Sequence, residues 1–252
     1  MKDIREPLYE KYYSAFKKGE PRERLGFLHL KLWYNEKYLP LFKGYARNAP
    51  LLDLGCGQGF MLRYLKSAGF TNLTGIDISE EQVERAKASG FNAIHADAFS
   101  FLRENENQFE IIVAIDMLEH FKKEELYELL ILIYRALKPG GIFVLQTPNG
   151  EGLMPGYVIY GDLTHFTILS PLSLKHILTV TGFENVFIKE LGPAFFVHFP
   201  LFIGWQVVRL FAIIIKFLEI GRFQKHWTES IVCSCRKPIF GPKEAEENWV
   251  KA

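Results

Sequence analysis

Residues 51–59 read Leu-Leu-Asp-Leu-Gly-Cys-Gly-Gln-Gly, and this stretch decides the fold class. An apolar run typical of a buried strand ends at three glycines in alternate positions, and a helical pattern follows at 60–68. Glycine lets the backbone turn sharply and approach a ligand without a Cβ in the way. The first turn of the helix then offers amide groups and the positive end of its dipole to a carboxylate or a phosphate. We therefore expect a ligand-binding turn between a strand and a helix.

Strands and helices alternate along the chain after this turn. Helical stretches separate four further apolar runs, which predict strands at 73–78, 91–95, 111–115 and 142–145. Alternation of this kind predicts an α/β fold with a mostly parallel sheet and right-handed crossover connections.

Carboxylates stand at the ends of the first three predicted strands. Asp53 precedes the glycines, Asp77 ends the second strand and Asp97 ends the third. Taken singly, each is more often a turn or helix-cap residue. As a set they indicate a ligand site, because open α/β sheets bind ligands at the carboxyl ends of their strands. Phe60 breaks the G-x-G-x-x-G spacing of dinucleotide-binding turns, which disfavours a dehydrogenase.

These residues resemble the class I S-adenosylmethionine-dependent methyltransferases. The resemblance covers residues 45–192 and is carried by the motifs LLDLGCGQG, GIDIS, ADAF, FEIIVAIDMLEHF and LKPGGIFVLQTPNG. It implies a Rossmann-like, seven-stranded, mostly parallel sheet with helices on both faces and an antiparallel last strand. Residues 183–190 and 231–236 would then supply strands six and seven.

The resemblance also implies the cofactor, S-adenosylmethionine, and the residues that bind it. The glycines would border its methionine part, Asp77 its ribose and Asp97 its adenine, with the sulfonium close to the end of the fourth strand. The predicted cofactor-binding residues are Asp53, Gly55, Gly57, Gly59, Asp77, Ile78, Asp97, Ala98, Ile115 and Met117.

Two polar clusters follow the fourth and fifth strands on the same edge, at 116–120 and 160–167. One interpretation is structural, since polar residues commonly cap helices and set turns. Another is catalytic, with His120 or His165 as a general base and Glu119 beside them.

A third interpretation of these clusters is a divalent cation, Mg²⁺ or Mn²⁺, held by Asp116, Glu119, His120 and His165. The E-x-x-E-H pattern resembles that of magnesium-dependent methyltransferases that act on small-RNA ribose ends and on quinone precursors. Asp116 stands where those proteins have the first Glu.

The stretch from PNGEG to SLKHIL resembles a bacterial subfamily from surface-polysaccharide biosynthesis clusters, although Phe166 replaces an acidic residue of its pattern. This resemblance implies O-methylation of a sugar or glycan intermediate, so that the partner is a small-molecule or glycan acceptor. Two alternatives remain: a phenolic or quinone-like lipid acceptor, and a cofactor-binding module without catalytic activity.

The chain divides into a helical cap or lid at 1–48, the methyltransferase domain at 49–240 and a tail at 241–252. A nearly wholly apolar insertion, 194–221, precedes the last strand and predicts a helix at 201–220. Its three charged residues disfavour a transmembrane span, which leaves a core or lid helix, a peripheral membrane contact or a homodimer interface.

Composition narrows the class of partner and the compartment. The formal net charge of +1 disfavours nucleic acid as a partner, because the protein has no overall positive electrostatic field that would attract a polyanion. The three cysteines, Cys56, Cys233 and Cys235, form no metal or disulfide pattern, and the charged N-terminal residues do not resemble a signal peptide. We expect a cytoplasmic protein with a possible membrane association through 201–220.

Overall fold

The computed structural model describes residues 5–10, 27–195, 198–221 and 223–239. The strands are β1 (Leu51–Leu54), β2 (Leu73–Asp77), β3 (Ala93–His95), β4 (Phe109–Ile115), β5 (Leu137–Pro148), β6 (Glu184–Glu190) and β7 (Ser230–Arg236). The α-helices are α1 (Arg5–Glu10), α2 (Phe27–Lys37), α3 (Phe60–Ser67), α4 (Glu80–Ala88), α5 (Ala98–Glu104), α6 (Lys123–Ala136), α7 (Gly156–Tyr160), α8 (Pro171–Val180) and α9 (Phe199–Ile220). Short 3₁₀ helices cover Leu39–Phe42 and Leu118–His120. The predicted tail, 241–252, and part of the predicted cap, 11–26, lie outside the described residues.

The strands form one seven-stranded sheet in the order β3-β2-β1-β4-β5-β7-β6. Strands β1 to β5 pair in parallel, whereas β7 runs antiparallel to both β5 and β6. This topology confirms the predicted Rossmann-like sheet with an antiparallel last strand. The chain order reverses between β1 and β4, and such a switch point opens a crevice at the carboxyl ends of the strands.

Helices cover both faces of the sheet, as predicted. Alternate residues of a strand point to opposite faces, so the apolar residues of the central strand divide between two core layers. In β4, Ile112 and Ala114 pack in the core layer that contains the buried leucines of α6. Ile111 and Val113 pack in the opposite layer with Tyr34 of α2 and with α3. A strand that is apolar on both faces reads as a continuous hydrophobic run, which is the pattern that its sequence shows.

The fifth strand is longer than the sequence pattern indicates. Its predicted core was 142–145, but pairing extends it over Leu137–Pro148. Lys237, just after β7, accepts a hydrogen bond from Gly140 and donates one to Gly141 through its backbone. Long-range pairing of this kind overrides the local turn propensity of Pro-Gly-Gly.

Candidate active site

The glycine-rich turn lies at the carboxyl end of β1, at the switch point of the sheet. Gly55, Gly57 and Gly59 all have positive φ angles, of 74°, 53° and 88°. A Cβ on Gly55 would lie 3.0 Å from Cγ of Met117, so both the backbone angle and the space favour glycine. Helix α3 begins next, without a side-chain cap, so its first turn is open to a ligand.

Asp77 fastens this turn to the end of β2. Its two carboxylate oxygens accept hydrogen bonds of 2.8 Å from the backbone N–H groups of Gly57 and Ser79. Burial raises the pKa of Asp77, while these backbone donors act in the opposite direction. A carboxylate oxygen can accept a second hydrogen bond, so Asp77 can hold the turn and a ligand hydroxyl together.

Asp53 is fully buried beneath the same turn. Within the described part of the chain, its Oδ2 atom has no hydrogen-bond partner. Burial, and to a lesser extent the neighbouring Asp77, raises the pKa of Asp53 to about 8. Because an unpaired buried carboxylate is costly, this oxygen is suited to a cationic group of a ligand, such as an ammonium.

A cavity of about 1260 Å³ extends from the turn across the carboxyl edge of the sheet. Every predicted cofactor-binding residue lines this cavity except Gly59, and the predicted cluster residues Asp116, Glu119, His120 and His165 line it too. A Cβ on Gly59 would instead meet the ring of Phe91 at 2.9 Å. The absence of a side chain at Gly59 therefore serves the packing of the turn against Phe91, and its contact with the cofactor stays a prediction.

Asp97 has a local role as well as a place in the cavity wall. Its Oδ1 atom accepts hydrogen bonds from the backbone N–H and the hydroxyl of Ser100, at 2.9 and 3.0 Å, and so caps α5. The helix-cap interpretation of this residue is therefore correct for one of its oxygens. Asp97 is exposed along the cavity between Ala98 and the end of β3.

The two predicted histidines meet at the other end of the cavity. The ring centroids of His120 and His165 are 4.9 Å apart. One ligand atom each from Glu119, His120 and His165 can be chosen so that all lie within 4.8 Å of one another. The loop that carries His165 is held there because the backbone N–H groups of Phe166 and Thr167 donate to the carbonyl of Glu119. The prediction that these histidines lie together is confirmed.

Hydrogen bonds fix which ring nitrogen of each histidine carries the proton. Nδ1 of His165 lies 2.8 Å from the carbonyl oxygen of Val158, which only accepts. Nδ1 of His120 lies 2.8 Å from Oγ1 of Thr164, whose own hydrogen is donated to Asp162 over 2.6 Å. Both histidines therefore carry a proton on Nδ1 and have their basic lone pair on Nε2, the arrangement found in metal-binding and general-base histidines.

Carboxylates surround the basic nitrogen of His165. Its Nε2 atom lies 4.0 Å from Oε1 of Glu119 and 4.0 Å from Oδ2 of Asp162. Glu119 is fully buried, and its Oε2 accepts a hydrogen bond of 3.2 Å from the hydroxyl of Thr147. Two buried carboxylates beside two imidazole nitrogens are ligand types that a divalent metal cation accepts.

The structure does not bring Asp116 into this group. Both of its oxygens accept from the side-chain amide of Gln146, at 2.6 and 2.8 Å, and Gln146 accepts from the hydroxyl of Tyr38. The backbone of Asp116 has a positive φ of 51°, which turns the residue toward β5. Asp162 lies beside the group instead, with its Oδ2 atom 4.0 Å from Nε2 of His165.

A family model described as a methyltransferase domain matches residues 29–187, more than half of the chain. The chain belongs to this methyltransferase family. Its cavity lies beside the glycine turn and the strand-end carboxylates, where the cofactor site of an S-adenosylmethionine-dependent methyltransferase is expected. The chain is such an enzyme.

Known proteins resemble this methyltransferase over most of its length. A solved structure of a SAM dependent methyltransferase from Archaeoglobus fulgidus is 26% identical, covers 90% of this chain and 100% of its own, and has a TM-score of 0.66. The ubiquinone biosynthesis O-methyltransferase of Rickettsia typhi is 25% identical over 65% of this chain and 70% of the relative. The phosphoethanolamine N-methyltransferase of Plasmodium falciparum is 28% identical over 58% of this chain and 57% of the relative.

The N-terminal helix of the methyltransferase adds contacts that the sequence did not indicate. Arg5 forms a two-fold ion pair with Glu125, at 2.7 and 2.8 Å, and donates to the carbonyl of His120. Tyr9 packs against the ring of His120 with centroids 6.0 Å apart, and burial raises the pKa of its hydroxyl. Helix α1 therefore covers the histidine end of the cavity. Its sequence has no motif that pairs it with a site more than a hundred residues away.

Proposed function

We propose that this methyltransferase transfers the methyl group of S-adenosylmethionine to a hydroxyl oxygen. The observation that carries the proposal is the convergence of Glu119, His120 and His165 in the cavity that the predicted cofactor-binding residues also line. A hydroxyl is a weak nucleophile until its proton is removed. A cluster of basic nitrogens and carboxylates can accept that proton.

In the transfer, the acceptor oxygen forms a bond to the methyl carbon as the bond from carbon to sulfur breaks in line with it. The sulfur keeps the electron pair of the broken bond and loses its positive charge. Where no cation is bound, the acceptor proton passes to Nε2 of His120 or His165, which lie beside the carboxylate of Glu119. The largest contribution of the cavity is to hold the two reactants at the distance and angle of attack.

The same residues fit a divalent cation. Two imidazole nitrogens and a buried carboxylate have the chemistry and spacing of a metal site, and each Nδ1–H is already held by an oxygen. We propose that Glu119, His120 and His165 hold Mg²⁺ or Mn²⁺, with Asp162 beside them. A bound cation would lower the pKa of the acceptor hydroxyl and so replace the general base.

The favoured acceptor is a hydroxyl of a sugar or glycan intermediate. Support comes from the motif that runs through 148–174, which includes Asp162, Thr164 and His165 and resembles the polysaccharide-cluster subfamily. A phenolic or quinone-like lipid is the second candidate. It is favoured by the similarity to ubiquinone biosynthesis O-methyltransferases and by the exposed apolar helix α9.

An acceptor screen with methyl-labelled S-adenosylmethionine tests this proposal. Sugar nucleotides, lipid-linked glycans, phenols and primary amines are offered to the wild-type enzyme with added Mg²⁺ or Mn²⁺, and again after chelation. We expect label on an oxygen of a sugar or phenol, with loss of transfer on chelation and recovery on adding the cation. Transfer to amines alone would contradict an O-methyltransferase, and transfer that ignores the chelator would leave the histidines as the base.

A further inference from the structure

Helix α9 turns the side that carries Arg209 and Lys216 toward the protein, and its other side, which is apolar, toward solvent. Residues Phe202, Trp205, Arg209, Ala212 and Lys216 recur every three or four positions and are at least partly buried. A surface helix ordinarily has the reverse arrangement, with polar residues outward.

The inward polar residues of α9 have partners in the described part of the protein. Arg209 forms an ion pair with Glu190 at the end of β6, over 3.3 Å, and donates to the carbonyl of Lys225. Lys216 forms an ion pair of 2.8 Å with Glu219. The contacts of Arg209 hold this side of the helix against the domain, whereas the ion pair of Lys216 with Glu219 lies within α9 itself.

The outward side of α9 is apolar over its whole length. Leu201, Phe211, Ile215 and Leu218 are between 63% and 79% exposed, and no charged residue stands among the exposed residues before Glu219. Residues Phe199–Glu219 have a mean hydropathy of 1.9, and only 6% of the most apolar window is buried. Within the described ranges this is the helix long and apolar enough to cross a membrane, by length and composition alone.

The width of the apolar side distinguishes lipid from a second copy of the chain. Successive residues of a helix are about 100° apart, so the exposed residues from the Phe217 border to the Leu201 border cover an arc of roughly 200°. A partner helix covers a stripe about 100° wide. Packing of two α9 helices would therefore leave about half of the apolar arc in water, whereas acyl chains would cover all of it.

A second cavity, of about 500 Å³, lies beside this helix. Trp205 of α9 lines it together with Trp33, Trp227 and Met154, and Met154 is 76% exposed. Ser230 at the start of β7 lines both this cavity and the cavity of the active site. The two cavities thus share Ser230 in their walls, with three tryptophans lining the one beside α9.

We propose that α9 lies in the surface of a lipid bilayer, with its outward side among the acyl chains and the domain resting on the membrane. A helix with a wide apolar side and no net charge on it is stabilised there by burial of that side. A second step rests on the proposed function: the acceptor hydroxyl belongs to a lipid-anchored molecule, whose hydrocarbon part enters through the tryptophan-lined cavity. Lipid-linked glycans and prenylated phenols share this chemistry.

Vesicle flotation tests the membrane step without any assay of activity. The purified chain is mixed with vesicles of phosphatidylcholine and phosphatidylglycerol and centrifuged through a density gradient. The double variant Phe211→Glu with Leu218→Glu places charges at the centre of the apolar arc. The matched control is Leu172→Glu on α8, where a leucine is 75% exposed. Circular dichroism and calorimetric binding of S-adenosylhomocysteine verify that each variant is folded.

We expect the wild type and the control to float, and the double variant to lose about tenfold or more of its bound fraction. Wild-type protein that stays at the bottom of the gradient, or a double variant that floats equally well, would overturn the proposal. A wild-type protein that does not bind vesicles but forms a stable dimer, which dissociates in the double variant, would show instead that a second copy covers the outward side of α9.

Kinetics then test the acceptor step. With the wild-type enzyme, kcat/KM is compared between a hydroxyl acceptor carried on a lipid in vesicles and the same head group free in solution. We expect at least a tenfold preference for the lipid-borne form, with prenylated phenol and lipid-linked sugar as separate arms. Equal values would refute the acceptor step, and transfer to no hydroxyl at all would instead refute the proposed function.

Discussion

Replacing Asp53 by Asn should stabilise the protein without its cofactor and weaken cofactor binding. The carboxyl is fully buried, and its pKa is raised from 3.8 to about 8. A carboxyl whose pKa is higher in the folded state keeps its proton to a higher pH there than in the unfolded chain. Stability therefore falls as the pH rises from about 4 to about 8, with little further change above that.

The magnitude follows from the pH interval. Between pH 4 and pH 7 the unfolded carboxyl is ionised and the folded one is protonated, so roughly three pH units at about 1.4 kcal/mol each cost about 4 kcal/mol. An amide never ionises and avoids this cost, but its extra buried N–H costs about 1–3 kcal/mol. The net gain at pH 7 is about 2 kcal/mol, which corresponds to a rise in Tm of about 4–8 °C.

Scanning calorimetry of the cofactor-free protein at pH 4.5 and pH 7.5 measures this effect. Asp97→Asn is the matched control, because it changes an exposed carboxylate on the same edge that caps a helix, where Asn is an equally good cap. We expect a higher Tm for Asp53→Asn only at the higher pH, and no change in Tm for the control. We also expect Asp53→Asn to weaken cofactor binding by about tenfold or more. An Asp53→Asn protein that is no more stable at pH 7.5 than at pH 4.5, relative to wild type, would refute the reasoning.

Three further predictions concern the turn and the histidines. Asp77→Ala should weaken S-adenosylmethionine binding by about 1.5–3 kcal/mol in calorimetry, and unchanged affinity would remove Asp77 from the site. Gly55→Val should abolish that binding in a folded protein, because φ is 74° and Met117 fills the space. Thr164→Val removes the hydroxyl that lies 2.8 Å from Nδ1 of His120 and leaves only the backbone carbonyl of the same residue, at 3.3 Å. We expect kcat to fall about tenfold or more and the pH profile to shift while cofactor affinity holds; an unaltered profile would contradict the tautomer argument.

Local signals in the sequence predict the fold well. The apolar run, the alternate glycines and the following helix determine the turn, and Asp53 and Asp77 lie where the ends of parallel strands must converge. The meeting of His120 with His165 was predictable for the same reason, since both follow neighbouring strands on one edge. The apolar insertion was also recognisable as a helix, and its observed bounds, Phe199–Ile220, differ little from the prediction.

Contacts between distant segments escaped prediction. Asp116 stands in the first position of a metal-binding pattern, but the amide of Gln146 on the next strand captures its carboxylate. Gly59 matches a cofactor motif, although its missing side chain makes room for Phe91. Arg5 and Tyr9 reach the site only because α1 folds over it. None of these partners has a fixed spacing in sequence, so only the three-dimensional structure places them.

The most direct test of the central claim compares methyl transfer with cofactor binding in His120→Ala and His165→Ala. Labelled S-adenosylmethionine and a hydroxyl acceptor from the screen give kcat, and calorimetry gives the affinity for S-adenosylhomocysteine. We predict that either variant lowers kcat about 100-fold or more while the affinity changes less than about threefold, because the histidines act on the acceptor and not on the cofactor. Wild-type turnover in both folded variants would contradict the claim that this cluster activates the acceptor hydroxyl.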